Sequence, residues 1–171
     1  MLSLVELAPS VGNAQPWRFV RIVDPALREL LAVHVDAISE AAAAGFDPER
    51  AATYRALKLH GLREAPELVV VFSDEAPAAG HGLGIATMPE MLRYSTAMAI
   101  HTLWLAARAE GIGIGWVSIL DPATVHRLLA VPDSWTLIAL LCIGYPEIDS
   151  DTPELVRRGW QAREAVHVET R

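Results

Sequence analysis

Tyr94-Ser-Thr-Ala-Met-Ala-Ile-His-Thr-Leu-Trp-Leu-Ala-Ala-Arg-Ala-Glu-Gly-Ile-Gly-Ile-Gly-Trp-Val-Ser118 holds the two signals from which the fold is read. Its first part has no proline or glycine and is apolar on almost every face, so the spacing predicts a helix over residues 89–110. A helix apolar all round is buried all round. This one is expected to form the spine of the domain and its contact with a second copy, with His101 as a hydrogen-bonded interior histidine. Its second part alternates glycine with bulky residues and reads as a strand. Glycine inside a strand otherwise only weakens it, so Gly111, Gly113 and Gly115 either let backbone approach something flat or make room for a neighbouring helix. They are no dinucleotide fingerprint, because they precede and occupy a strand instead of joining one to a helix, and no P-loop lysine follows.

Outward from this block the chain alternates strands and helices. Residues 1–7 read as the last turns of a helix, and residues 17–23 as a strand. Asp24-Pro25 then caps a helix over 25–43 with an inward stripe of Leu27, Leu30, Leu31, His34, Val35 and Ile38. Residues 49–64 form a charged helical stretch with Tyr54, Leu57, Leu59 and Leu62, expected to be a mobile cover. Residues 68–72 are a buried central strand, 73–88 a loop, and 137–145 another buried strand. Asp121-Pro122 opens a further helix, to about residue 130. Residues 146–171 form a polar, arginine-bearing C-terminal arm expected to wrap over a neighbour. This order gives an α+β fold in one domain over 1–171, one layer of sheet flanked by helices.

Between the first helix and the first strand lies the segment most suited to a ligand, Pro9-Ser-Val-Gly-Asn-Ala-Gln-Pro-Trp-Arg-Phe19. Ser10, Asn13 and Gln15 offer donors and acceptors without charge, Gly12 lets backbone come close to a ligand, and Pro9 and Pro16 stiffen the loop. A planar, hydrogen-bonding ring is the partner such a cradle suits.

Composition narrows the rest. With 171 residues the chain can bury roughly 70% of its unfolded surface. Its 52% apolar content and mean hydropathy of +0.27 are high for a monomer and point to an obligate homodimer. A net charge of -7 argues against nucleic acid or an anionic membrane as partner. No run approaches the ~20 apolar residues of a membrane span, and no basic leader precedes the first apolar residues. The single cysteine, Cys142, fits a buried, inert thiol in a reducing cytoplasm. Six histidines without ligand spacing leave no metal site to expect. Ser118 lacks the Gly-x-Ser-x-Gly elbow of a hydrolase nucleophile. Among Arg157, Arg158 and Arg163 in the tail, Arg163 is the chosen anion contact.

Taken together, the segments 8–19, Leu62-Arg-Glu-Ala-Pro66, Pro89-Glu-Met91, Tyr94-Ser-Thr96, 103–119 and Gly159-Trp160 resemble the nitroreductase-like flavoproteins, and within them the BluB-type 5,6-dimethylbenzimidazole synthases. The resemblance implies a central, mostly antiparallel sheet flanked by helices and a long buried helix at the interface of a homodimer. Two FMN sites would each be lined by both subunits. Pro9, Ser10, Asn13 and Gln15 would meet the ring and ribityl chain. Gly115, Trp116, Val117 and Ser118 would lie beside the ring's reactive edge, with Ser118 the catalytic candidate. Arg163 would reach the phosphate and residues 49–64 would be the lid. In that branch, reduced FMN reacts with dioxygen and its ring is fragmented to the lower ligand of cobalamin. The wider family implies instead NAD(P)H-dependent reduction of a nitro compound or another small planar substrate. A third reading, a truncated, non-catalytic flavin- or corrinoid-binding dimer, arises because the family's Arg-Arg-x-x-Arg segment, which grips the FMN phosphate, has no counterpart in this sequence.

Overall fold

The structure, a computed structural model, describes residues 2–171. Four strands, β1 (Trp17–Arg21), β2 (Glu67–Asp74), β3 (Gly113–Val117) and β4 (Trp135–Gly144), form one sheet in the order β1-β2-β4-β3, antiparallel at every pairing. Helices α1 (Pro25–Ala43), α2 (Pro48–Arg55), α3 (Met91–Ala109), α4 (Pro122–Leu129) and α5 (Glu154–Arg157) surround it. Three of them start on the same local device, an aspartate followed by proline. Asp24 accepts from the Ala26 amide at 2.9 Å, Asp47 from Arg50 at 2.9 Å and Asp121 from Thr124 at 2.8 Å. Each such cap is worth about 1 kcal/mol and fixes where a helix begins.

The pleat of β2 sorts the core into two layers. Leu68, Val70 and Phe72 face Leu31, Ala32 and Val35 of α1 and Val125 of α4. Val69 and Val71 face Ala99, Ile100 and Leu103 of α3. Because β2 is covered on both faces it reads as an uninterrupted apolar run, as expected of a central strand.

Several expectations need correction. In α1, Leu30 is 55% exposed while Ala32 is fully buried, because α1 meets the sheet through Leu31, Ala32 and Val35. Residues 49–64 are helical only within α2, to Arg55. Beyond it, Leu62 is buried at 0% exposure, and ion pairs fasten the segment to α1: Arg55 to Glu40, and Arg63 to both Glu29 and Asp36. Helix α3 is buried on one face only. Leu92, Ser95, Thr96, Ala99, Ile100, Leu103 and Ala107 are covered, whereas Tyr94, Met98, Trp104 and Leu105 face outward. His101 is exposed and stacks on Trp104 at 6.2 Å between ring centroids; it is not an interior residue, since the sheet covers only the opposite side of the helix.

The ion pairs set an acid limit. Hydrogen bonds from Arg63 and Arg55 hold the Glu29 and Glu40 carboxyls below the usual glutamate range, and Arg21 does the same to Glu67. A carboxylate whose pKa is lowered by folding stabilises the fold above its unfolded pKa, near 4.3, and loses that contribution as pH falls through the folded value. The thermal midpoint should therefore fall as pH is lowered from about 4.3. Replacing all three glutamates by glutamine should flatten that fall, as followed by circular dichroism.

Candidate functional site

The residues before β1 form a tightly held loop. Ser10 Oγ accepts from the Gln15 amide at 3.1 Å and closes it. The Val11 amide donates to Ser95 Oγ at 3.0 Å, and that hydroxyl, fully buried on α3, donates in turn to the Met91 carbonyl at 2.6 Å. At the other end Arg18 donates to the Gln15 carbonyl at 3.0 Å and is itself held by Asp74 at 2.9 Å. Gly12, Asn13 and Gln15 have φ of 55, 57 and 47°, left-handed conformations that only a well-anchored loop sustains. Gly12 is needed for a reason other than the one its sequence suggests. A Cβ there would sit 2.8 Å from the Leu83 carbonyl oxygen, so the backbone it approaches is that of residues 80–84 and not a ligand's face. Pro9 and the side chains of Asn13 and Gln15 point to solvent, Gln15 Nε2 donating to Asn13 Oδ1 at 3.3 Å.

A second surface is a groove of about 460 Å³ at the other end of the sheet. Its floor is Gly113, Gly115, Gly144 and Cys142 of the sheet; the segment after α2 adds Lys58, Gly61 and Glu64 as one wall, and the chain after β4 adds Tyr145, Arg157 and Arg158 as another. The glycines of the floor are not equivalent. A Cβ at Gly144 would lie 2.6 Å from Pro66 Cδ, so packing within the chain demands that glycine. At Gly115 it would meet nothing nearer than Cys142 Cβ at 3.8 Å, so packing does not explain it. Room for a neighbouring helix thus accounts for Gly115 poorly, and close approach by something outside the chain accounts for it well. Burial pushes the Cys142 thiol up, which keeps it neutral and unreactive. Lys58 pairs with Glu147 at 3.2 Å and Arg158 with Glu154 at 3.3 Å, both exposed pairs that an anion could displace.

Past the groove, Trp116 is 46% exposed, Val117 is buried in the core at 2% and can offer only its backbone, and Ser118 is exposed. Arg163 lies outside the groove, donating to the Asp151 carbonyl at 3.0 Å. The cations at the groove are Lys58, Arg157 and Arg158, which the sequence placed in a cover segment and a solvated cluster.

The two surfaces do not meet in one chain. Trp17 pairs with Ser73, which pairs with Thr136, whereas Gly115 pairs with Cys142. Three strand spacings therefore separate them across the sheet, about 14 Å, and six residues along it, roughly 20 Å. Helix α3 packs on the other face of the sheet from the groove's Gly115 and Cys142, and its outward side leaves Tyr94, Met98, His101, Trp104 and Leu105 exposed, with Leu2, Leu4 and Leu7 exposed nearby. Among the described residues no cluster could hold a metal ion, and no helix is long and apolar enough to cross a membrane.

A model of the nitroreductase family matches residues 1–145. The chain is 56% identical over 163 residues to a 5,6-dimethylbenzimidazole synthase of Rhodospirillum rubrum, covering 95% of this chain and 77% of that one. It is 54% identical over 159 residues to another from Rhodobacter capsulatus, covering 93% and 77%. Among solved structures, an oxidized iodotyrosine deiodinase bound to FMN and 3-iodo-L-tyrosine superposes with a TM-score of 0.72 at 26% identity, over 99% of this chain and 84% of that one.

The loop geometry makes a direct prediction. Ser95→Ala removes the acceptor of the Val11 amide and should destabilise the protein by about 1–3 kcal/mol. Hydrogen exchange should show the Val11 amide losing protection while the β2 amides keep theirs.

Proposed function

This chain belongs to the nitroreductase family, and we propose that it is an FMN-dependent oxidoreductase of the 5,6-dimethylbenzimidazole synthase type, working as a cytoplasmic homodimer. The observation that carries the reading is the groove with its bare Gly115 floor beside three cations, in a chain 56% identical to such a synthase. The residues fit the cofactor. A glycine floor with open space above it accepts an aromatic tricycle, and two guanidiniums and an ammonium suit a phosphate. Bound FMN supplies the reducing electrons and, in the synthase reaction with dioxygen, the atoms of the product.

The chain's own groups bind, orient and shield. Lys58, Arg157 and Arg158 would hold the phosphate, which would compete with Glu147 for Lys58 and with Glu154 for Arg158, with Arg163 a further candidate from the arm. Gly113 and Gly115, bare of side chains, would leave room for the ring. Ser118 Oγ, just past the strand end and exposed, would give or take a proton at the ring's edge. Pro9, Ser10, Asn13 and Gln15 serve the site from the second copy, because the gap across the sheet keeps them from their own groove. Pairing through the outward face of α3 would bury Tyr94, Met98, Trp104 and Leu105. Trp116, half exposed on the opposite face of β3 from Gly115, would be shielded from water by the same pairing. The single buried Cys142 is consistent with a reducing cytoplasm.

Incubation with reduced FMN and air should yield 5,6-dimethylbenzimidazole by mass spectrometry, and Ser118→Ala should lower its rate by about 100-fold or more while FMN still binds. Absence of the product together with rapid flavin reduction by NADH or NADPH would replace this reading with that of a nitroreductase. A wild type that fails to bind FMN would remove both.

A further inference from the structure

Helix α5 and the turn after it form a rigid unit that carries both groove arginines. The Trp160 amide donates to the Leu155 carbonyl at 2.9 Å and the Gly159 amide to the Val156 carbonyl at 3.0 Å, with Gly159 at φ +71°. This is the paired capping pattern of a helix ended by a left-handed glycine, and it throws the next side chain back across the helix end. Here that side chain is Trp160, which leaves the arm to join Phe46 and Tyr54. Its ring centroid lies 5.8 Å from that of Phe46 and 5.9 Å from that of Tyr54. The Arg50 guanidinium sits over the indole, 3.7 Å from the centroid, and donates to the Trp160 carbonyl at 3.2 Å. Tyr54 is 8% exposed and Asp47 caps the helix that carries Arg50, so the receiving surface is fixed.

The consequence lies in what each partner carries. Arg157 and Arg158 directly precede the turn on the arm, and Lys58 follows α2 on the other wall of the groove. The indole thus joins the two walls from which the groove's cations project. Among the described residues the only other side-chain bond between these walls is the exposed Lys58–Glu147 pair, which an incoming anion has to break. We propose that Trp160, clasped by Arg50, Phe46 and Tyr54, is a positioning residue that holds Arg157, Arg158 and Lys58 at the distances a phosphate needs, and so sets the preference of the groove for a phosphorylated over an unphosphorylated flavin. The indole acts through the arginines without touching ligand. The proposal rests on the flavin reading above.

The test compares FMN with riboflavin, which lacks only the phosphate, by quenching of flavin fluorescence on the full chain. Trp160→Ala should weaken FMN by about tenfold, the loss of roughly one charge-assisted contact, and leave riboflavin unchanged. Trp160→Phe should restore most of the preference because a ring still fills the clasp. Arg50→Met, which keeps the aromatic trio, should lower the same ratio and serves if Trp160→Ala does not fold. An unchanged FMN-to-riboflavin ratio in both variants overturns the proposal, as does an equal loss of both ligands. If the wild type binds neither flavin, the flavin reading fails. The clasp is then judged without ligand by hydrogen exchange: faster exchange of residues 48–55 in Trp160→Ala supports it, and unchanged exchange overturns it.

Discussion

Everything in this molecule that bears on function follows from where one antiparallel sheet puts its corners. The polar loop enters β1 at one edge and one end; the glycine floor of β3 and β4 lies at the other edge and towards the other end. Backbone hydrogen bonds along four strands fix that separation, and side-chain motion cannot close it. A ring held by both surfaces therefore needs two chains. The apolar face left open on α3 is where the second chain has reason to sit, since burying such a surface is the main driving force of association.

The polar loop is also tied to α3. Ser95 lies on the sheet side of the helix whose other side faces outward, and its hydroxyl holds the Val11 amide. Arg18 and Asp74 fix the far end of the loop from β1 and β2. The loop is therefore referenced to the sheet and to the proposed interface helix together.

Much of this was legible in the sequence where the cause is local. Aspartate-proline pairs at 24–25 and 121–122 marked helix starts because the cap and the missing amide act within one turn. The run from Leu68 to Phe72 marked a central strand because both its faces are covered. What failed depended on partners distant in sequence. The buried face of α3 could not be told from its open one, because both are apolar: one meets the sheet and the other is kept for a neighbour. Hence His101 was placed inside. Leu30 was assigned inward because a stripe in one helix fixes its rotation only to within a residue. That Arg157 and Arg158 line the groove while Arg163 bonds the Asp151 carbonyl was not legible either, because nothing local shows that Gly159 and Trp160 fold the arm back onto α2. The two readings of the glycines at 111–115 could not be weighed in the sequence, because neighbour distances alone show that packing within the chain does not require Gly115.

The most direct measurement is sedimentation velocity of the FMN-loaded protein, followed at once at the protein and the flavin absorption bands. Sites shared between copies predict that flavin travels only with a species of twice the 18.6 kDa chain mass, at one flavin per chain. Flavin travelling with a species of a single chain's mass would contradict the account.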